Sequence, residues 1–180
     1  PTDFPRPTEM DYEGDYVPFE LEKELSLCLR NVAKDLGVSL YSLMLSCYYL
    51  MLRVYSGQDD IVIGSPVANR HYSQIQDLIG FFVNTLALRV NFQEGFVEST
   101  SEKASPTLTL RDFIKHVGNE VIDAQLHQDL PFEKLVEELD VPKDTSRHPI
   151  FQVMFNLHSF GNQKTGNLQS HELEEENLLS

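Results

Sequence analysis

Two apolar runs, residues 61–63 and 81–90, close around a polar, turn-rich middle, and this arrangement restricts the fold more than any other stretch of the chain. The first, within DIVIG, reads as an unbroken apolar strand of the kind found in sheets covered on both faces. The second, FFVNTLALRV, reads as a strand that continues to about Phe92. Gly64, Ser65 and Pro66 favour a turn and withhold backbone donors from a continuing sheet, so the first strand is expected to stop there. The loop that follows carries Asn69, Arg70 and His71, passes a short amphipathic piece at 74–79 and reaches Gly80. Asn84 and Thr85 then sit inside an otherwise strand-like run. Burying an unpaired amide costs roughly 1–3 kcal/mol, so Asn84 must find hydrogen bonds or face a cavity.

The rest of the chain reads as scaffold for this stretch. Its 180 residues make one domain, or one lobe of a larger one. A net charge of −14 argues against nucleic acid as the main partner, because that affinity rests on Lys and Arg neutralising phosphates. The two cysteines, Cys28 and Cys47, lie in apolar helical patterns without CxxC or Cys/His spacing and are expected to be reduced, buried thiols. No run approaches the ~18 apolar residues of a membrane span, and no signal core opens the chain. A cytoplasmic protein with no membrane partner is expected. The opening PTDFPRP lacks an initiator Met and reads as linker, which points to a piece of a longer chain.

Taken in order, residues 14–21 alternate well enough for a short strand, with Pro18 pushing it to a sheet edge. Residues 22–36 follow as a helix with Leu25, Leu29, Val32, Ala33 and Leu36 on one face and Gly37 as a left-handed cap. Ser39 is placed to cap a second helix through Tyr55 that is apolar almost all round, the expected central buried helix. Residues 93–107, rich in Ser, Glu and Thr, read as an exposed loop. Thr109 caps a third helix whose inner face runs from Leu110 through Phe113, Ile114, Val117, Val121 and Ala124 to Gln125. Asp129 is expected to cap a fourth helix, with Pro131 at its first position and Phe132, Leu135, Val136 and Leu139 turned inward. Residues 150–158 alternate as a strand with Phe151, Val153, Phe155 and Leu157 on its dry side. The end is polar and acidic, a fraying helix or a disordered segment.

Common short signatures of catalysis are missing: there is no GxSxG elbow, Walker loop, GxGxxG fingerprint or HExxH helix. The six histidines are scattered, none at metal-ligand spacing to another, and no metal is expected. His127 and Asp129, at i and i+2, do not naturally converge and read as a helix end rather than a dyad. Glu137 and Glu138 point different ways from a helix and read as a solvated face. Arg70 either lies at the surface or holds a carboxylate bidentately. Asn84 and Thr85 either form a satisfied bulge or sheet edge, or line a cavity.

Four segments together carry a resemblance. GSPVANR (64–70), IGFFVNTLALR (79–89), HQDLPFEKLVEEL (127–139) and SRHPIFQVMFNL (146–157) resemble, in order and spacing, four successive segments of nonribosomal peptide synthetase condensation domains. PTDFPRP (1–7) resembles the segment leading from the first half of such a domain into its second, so the likeness covers nearly the whole chain. It implies an α/β fold, a mixed β-sheet with packed helices: one chloramphenicol acetyltransferase-like lobe, the C-terminal one, of a two-lobed domain. Residues 1–13 would be the linker from the N-terminal lobe, 14–160 the lobe itself, and 161–180 a polar acidic segment.

The family joins an acyl thioester on an upstream carrier domain to the amine of an aminoacyl thioester on a downstream one. Its HHxxxDG catalytic motif belongs to the N-terminal lobe, and no HH pair occurs in this sequence. The resemblance therefore implies no catalytic residue in this chain and no condensation by the lobe alone. It implies that Asn84, with Thr85, stands near the substrate tunnel and that Arg70 supports the other lobe's active-site Asp by an ion pair. No cofactor is expected on this chain itself; the phosphopantetheine arms of upstream and downstream peptidyl carrier domains are implied, with the N-terminal lobe as a further partner. A lobe without its mate would expose apolar surface, so self-association is also expected. Epimerisation and cyclisation domains share the architecture, and a non-catalytic carrier-docking module is the rival of another class.

Overall fold

The computed structural model describes residues 5, 7, 8, 13–93, 109–142 and 144–158. Most of the expected linker, nearly all of the loop at 93–107 and the whole of 161–180 lie outside the described residues. Among the described residues, four α-helices and two strands follow in order, with one 3-10 turn at Ser73–Ile75 between the strands: α1 (Lys23–Leu36), α2 (Leu40–Ser56), β1 (Asp60–Val67), β2 (Asn84–Asn91), α3 (Leu110–Leu126) and α4 (Phe132–Glu138).

Local chemistry explains where the helices begin and end. Ser39 accepts a hydrogen bond from the Ser42 amide at 3.0 Å and starts α2. Thr109 accepts one from Asp112 at 3.2 Å and starts α3. Gly37 (φ 71°) and Gly57 (φ 69°) end α1 and α2 in the left-handed region that glycine enters without strain. α3 comes close to the connection between α1 and α2, since a Cβ on Gly118 would stand 3.2 Å from Val38 Cγ1.

The core gathers Leu45 and Tyr49 of α2, Phe113, Val117 and Val121 of α3, and the inward row of the sheet: Ile61, Ile63, Leu86, Leu88 and Val90. Tyr49 is fully buried, and its hydroxyl donates to the Leu88 carbonyl at 2.7 Å, which satisfies the one polar atom that burial would otherwise penalise. Burial pushes its phenol pKa well up. Among the described residues no single helix is long and apolar enough to cross a membrane.

β1 and β2 pair antiparallel from Asp60↔Asn91 to Val67↔Asn84. β1 therefore does not stop at Gly64 but runs on through Ser65 and Pro66 to Val67. The reason lies in the alternation of the ladder. The Gly64 amide and carbonyl face away from β2, the amide donating to Val153 at 3.0 Å and the carbonyl accepting from Phe155 at 2.9 Å. Pro66, two residues on, presents its missing N–H to that same side, so pairing with β2 is undisturbed.

The segment at 150–158 behaves differently from expectation for the same reason. Burial alternates over 151–155, with Phe151 buried and Gln152 and Met154 exposed, but among the described residues the only pairing is a single parallel bridge, Gly64↔Met154. The next ladder bond would need the amide that Pro66 lacks. On the face away from α2 and α3, Phe151 lies over Gly64, where a Cβ would fall 2.3 Å from the ring. Phe132 of α4 packs beside it with ring centroids 5.4 Å apart.

Other expectations are corrected. Residues 14–21 form no strand and are exposed, because alternation supplies two faces but not an edge to pair with. The intended inner residues Leu25, Val32, Leu110 and Leu139 are exposed, as are Val54 and Tyr55 at the end of α2. The helices are covered on less of their circumference than their apolar content suggests. Cys28 and Cys47 are free but exposed rather than buried, the inward positions of α2 being taken by Leu45, Ser46 and Tyr49. Asp129 does not cap α4: the helix starts one residue after Pro131, with no side-chain cap from its own segment.

Candidate functional site

The site is the polar middle between β1 and β2. Asn69 leaves the strand at φ 49°, a left-handed conformation that Asn tolerates better than branched residues, and delivers Arg70 into the loop. The Arg70 guanidinium then collects main-chain carbonyls of that loop. Nη1 donates to Ile75 at 2.8 Å, to Leu78 at 2.7 Å and more weakly to Gln76 at 3.4 Å, and Nη2 donates to Gly80 at 3.0 Å. Its plane lies over the Phe82 ring, 4.3 Å from the centroid. One planar fork thus gathers carbonyls at and beyond the single turn of 3-10 helix at Ser73–Ile75, that of Ile75 also accepting from the Leu78 amide at 3.3 Å. The loop so held presents apolar side chains outward: Ile79 is fully exposed and Phe81 is 91% exposed.

Asn84 opens β2 and finds three partners. Its Nδ2 donates to the carbonyls of Gln128 and Leu130, both at 2.8 Å, and its Oδ1 accepts from the Phe132 amide at 3.1 Å. Phe132 is the first residue of α4, whose leading amides have no partner within the helix. Asn84 therefore caps α4 from another element, replacing the acceptor that Pro131 cannot supply. Thr85, half-buried, stands opposite Pro66 in the ladder.

The same α3–α4 turn is held a second time. Tyr72 donates its hydroxyl to Asp129 Oδ2 at 3.0 Å, and His71 Nε2 lies 3.2 Å from Asp129 Oδ1. The His71 and Tyr72 rings rest against each other at 4.1 Å. The hydrogen bond to the Asp129 carboxylate, reinforced by its charge, holds the Tyr72 phenol above its usual pKa. This carboxylate is engaged with the loop, which is why it is not at the helix end. His127 does not join it, its Nδ1 lying 2.8 Å from the Asp123 carbonyl instead. Glu137 and Glu138 both reach Lys134, at 3.3 and 3.0 Å, on the solvated face. Among the described residues no group of three His, Cys, Asp or Glu could hold a metal ion.

The structure thus brings Arg70, Asn84 and Thr85 to one end of the β1–β2 pair and adds His71, Tyr72 and Asp129 to them. The condensation-domain family matches residues 1–179. The chain belongs to that family. Among curated relatives, the condensation-family chain is 45% identical over 157 residues to N-(5-amino-5-carboxypentanoyl)-L-cysteinyl-D-valine synthase of Amycolatopsis lactamdurans, covering 87% of itself and 4% of that protein. It is 44% identical over 156 residues to surfactin synthase subunit 1 of Bacillus subtilis (strain 168), again covering 87% of itself and 4% of the relative. The chain therefore spans a small fraction of the length of these synthetases. Among solved structures, a four-domain nonribosomal peptide synthetase bound to AMP and glycine aligns with a TM-score of 0.78 at 29% identity, over 89% of this chain and 11% of that one. The X-domain from teicoplanin biosynthesis aligns with a TM-score of 0.71 at 24% identity, over 84% of this chain and 31% of that one, a likeness of fold. The architecture is that of one chloramphenicol acetyltransferase-like lobe of a condensation domain.

Within this condensation lobe, the contacts of Arg70, His71, Tyr72 and Asp129 carried no signal of their own in the sequence. The nearest clue was Asn84 itself, a polar residue inside an apolar strand that had to find partners somewhere.

Proposed function

We propose that this chain is the C-terminal half of a peptide-bond-forming condensation domain of a nonribosomal peptide synthetase, working in the cytoplasm. It forms one wall of the tunnel in which a carrier-bound acyl thioester is attacked by a carrier-bound amine. The observation that carries this reading is the loop between β1 and β2. Arg70 ties four of its carbonyls together while Ile79 and Phe81 point into solvent, the construction of a stiff apolar surface made to be covered.

The phosphopantetheine arms of the upstream and downstream carrier domains would reach this wall as part of the substrates. Such an arm is a chain of amides joined by methylene groups, which suits an apolar surface beside the half-buried hydroxyl of Thr85, with Asn84 next to it holding the turn below. Arg70 would support the N-terminal lobe's active-site Asp. Its bonds to the loop carbonyls run through Nη1 and Nη2, so an approaching carboxylate would meet it from the Nε side. Catalysis by this half is by positioning: aligning two tethered reactants can be worth ~7–11 kcal/mol of barrier.

The test compares three proteins supplied with aminoacylated carrier domains. The isolated lobe is expected to form no amide. The whole domain, with the N-terminal lobe, is expected to form it. Asn84→Ala in the whole domain is expected to lower product formation by more than its loss of stability, ~1–3 kcal/mol for removing hydrogen bonds to a half-buried turn, would predict. Amide synthesis by the lobe alone would overturn the half-site reading, and an inactive whole domain that still binds carrier would favour a docking module.

A further inference from the structure

We propose that Asp129, through His71 and Tyr72, is a positioning residue that fastens the loop of residues 68–83 to the α3–α4 turn and so sets where Asn84 and the exposed Ile79 and Phe81 stand relative to substrate. The proposal rests on the tunnel-wall reading above. Three observations lead to it. First, among the described residues every side-chain hydrogen bond of Arg70 returns to the loop itself, at Ile75, Gln76, Leu78 and Gly80. Arg70 therefore stiffens the loop without attaching it to another described element of this lobe. A stiff loop fixed only where it joins β1 and β2 turns as one body about those two ends.

Second, the contacts that cross from the first half of the loop to another element converge on one carboxylate. Tyr72 reaches Asp129 Oδ2 at 3.0 Å and His71 lies 3.2 Å from Oδ1. Two adjacent residues use the two oxygens, and their rings support one another at 4.1 Å. Third, the turn they grip is the turn that Asn84 grips, through Gln128, Leu130 and Phe132. Asp129 lies between Gln128 and Leu130, so a shift of the turn is felt at both attachments. Releasing Asp129 lets the Arg70-bound loop pivot while the core stays intact. The cluster is exposed, and exposed pairs of this kind contribute little to global stability. Its removal should change geometry far more than melting.

The test uses the whole condensation domain with its N-terminal lobe and aminoacylated carrier partners, and reads two quantities. Asp129→Ala is expected to lower kcat about tenfold, since misplacing a reacting group by an ångström has effects of that order or larger. Its Tm should stay within about 2 °C of the parent. Asp129→Asn, which keeps an acceptor for Tyr72, should recover most of the rate. Tyr72→Phe combined with Asp129→Ala should be no slower than Asp129→Ala alone, because both remove one interaction. Independently of activity, amide hydrogen exchange over residues 73–80 should rise about fivefold or more in Asp129→Ala while α2 is unchanged. Unchanged exchange overturns the proposal, as does a fall in Tm that tracks the fall in rate. If the parent domain makes no amide, the tunnel reading fails by itself, and the exchange result still decides whether Asp129 holds the loop.

Discussion

The turn between α3 and α4 is capped from a distance. Asn84 supplies the acceptor for the Phe132 amide, and Asp129, which from its place before Pro131 would be the natural cap, turns its carboxylate to Tyr72 and His71. Asn84's need for partners was readable in the sequence, because an amide inside FFVNTLALRV cannot be buried unpaired. Its partners were not readable, being separated from it by 44 to 48 positions. A second carboxylate illustrates a purely local network. Asp144 accepts hydrogen bonds from the Ser146 hydroxyl at 2.6 Å and from the Ser146 amide at 2.9 Å, with Arg147 beside it, and these hold its pKa down to about 2. Because the folded pKa is depressed, the stabilisation is present above the unfolded value of ~3.9 and is lost as pH falls through the folded one. The Ser146 amide resonance is expected to titrate with a midpoint near 2, and the step to vanish in Asp144→Asn. A midpoint at the ordinary Asp value would contradict the network.

At the scale of elements, β1 shows how one residue sets the reach of a sheet. Gly64 leaves room for the Phe151 ring on one face and bonds to residues 153 and 155 along its edge, while Pro66 ends that edge. Gly64→Ala places a methyl 2.3 Å from the ring and should destabilise the lobe by about 1–3 kcal/mol in urea unfolding. Adding Phe151→Leu should return part of the loss; if Gly64→Ala is silent, the packing of this face is wrong. The helix boundaries were largely legible, since Ser39, Thr109, Gly37 and Gly57 act within one turn of themselves. The buried faces were less so. Leu25, Val32, Leu110 and Leu139 keep the helical period but meet no neighbour among the described residues that covers them, and periodicity cannot count neighbours.

At the scale of the molecule, the chain is acidic, with a net charge of −14, yet carries apolar side chains outward beside its candidate site. Leu78, Ile79, Phe81 and Leu130 are exposed together on the loop and the turn that Asn84 and Asp129 join. An uncovered patch of this kind drives association, so the purified lobe should show concentration-dependent sedimentation, and Ile79→Asp with Phe81→Ser should reduce it. A lobe that stays monomeric at high concentration would show that the patch needs no cover. Adding the N-terminal lobe should suppress the association in the same way, because both would compete for one surface.

The sequence by itself determined the four helices and two of the expected strands in their order, the caps at Gly37, Ser39 and Thr109 and, through four motif segments, the family. Those properties depend on residues within one or two turns of each other, or on patterns that repeat along the chain. The tertiary structure alone decided that β1 passes through Pro66, that Arg70 binds its own loop, and that Asn84 and Asp129 anchor one turn. Each of these depends on which side of a ladder a donor faces, or on contacts between residues as far apart as the 57 positions from Tyr72 to Asp129, and no local rule carries that information.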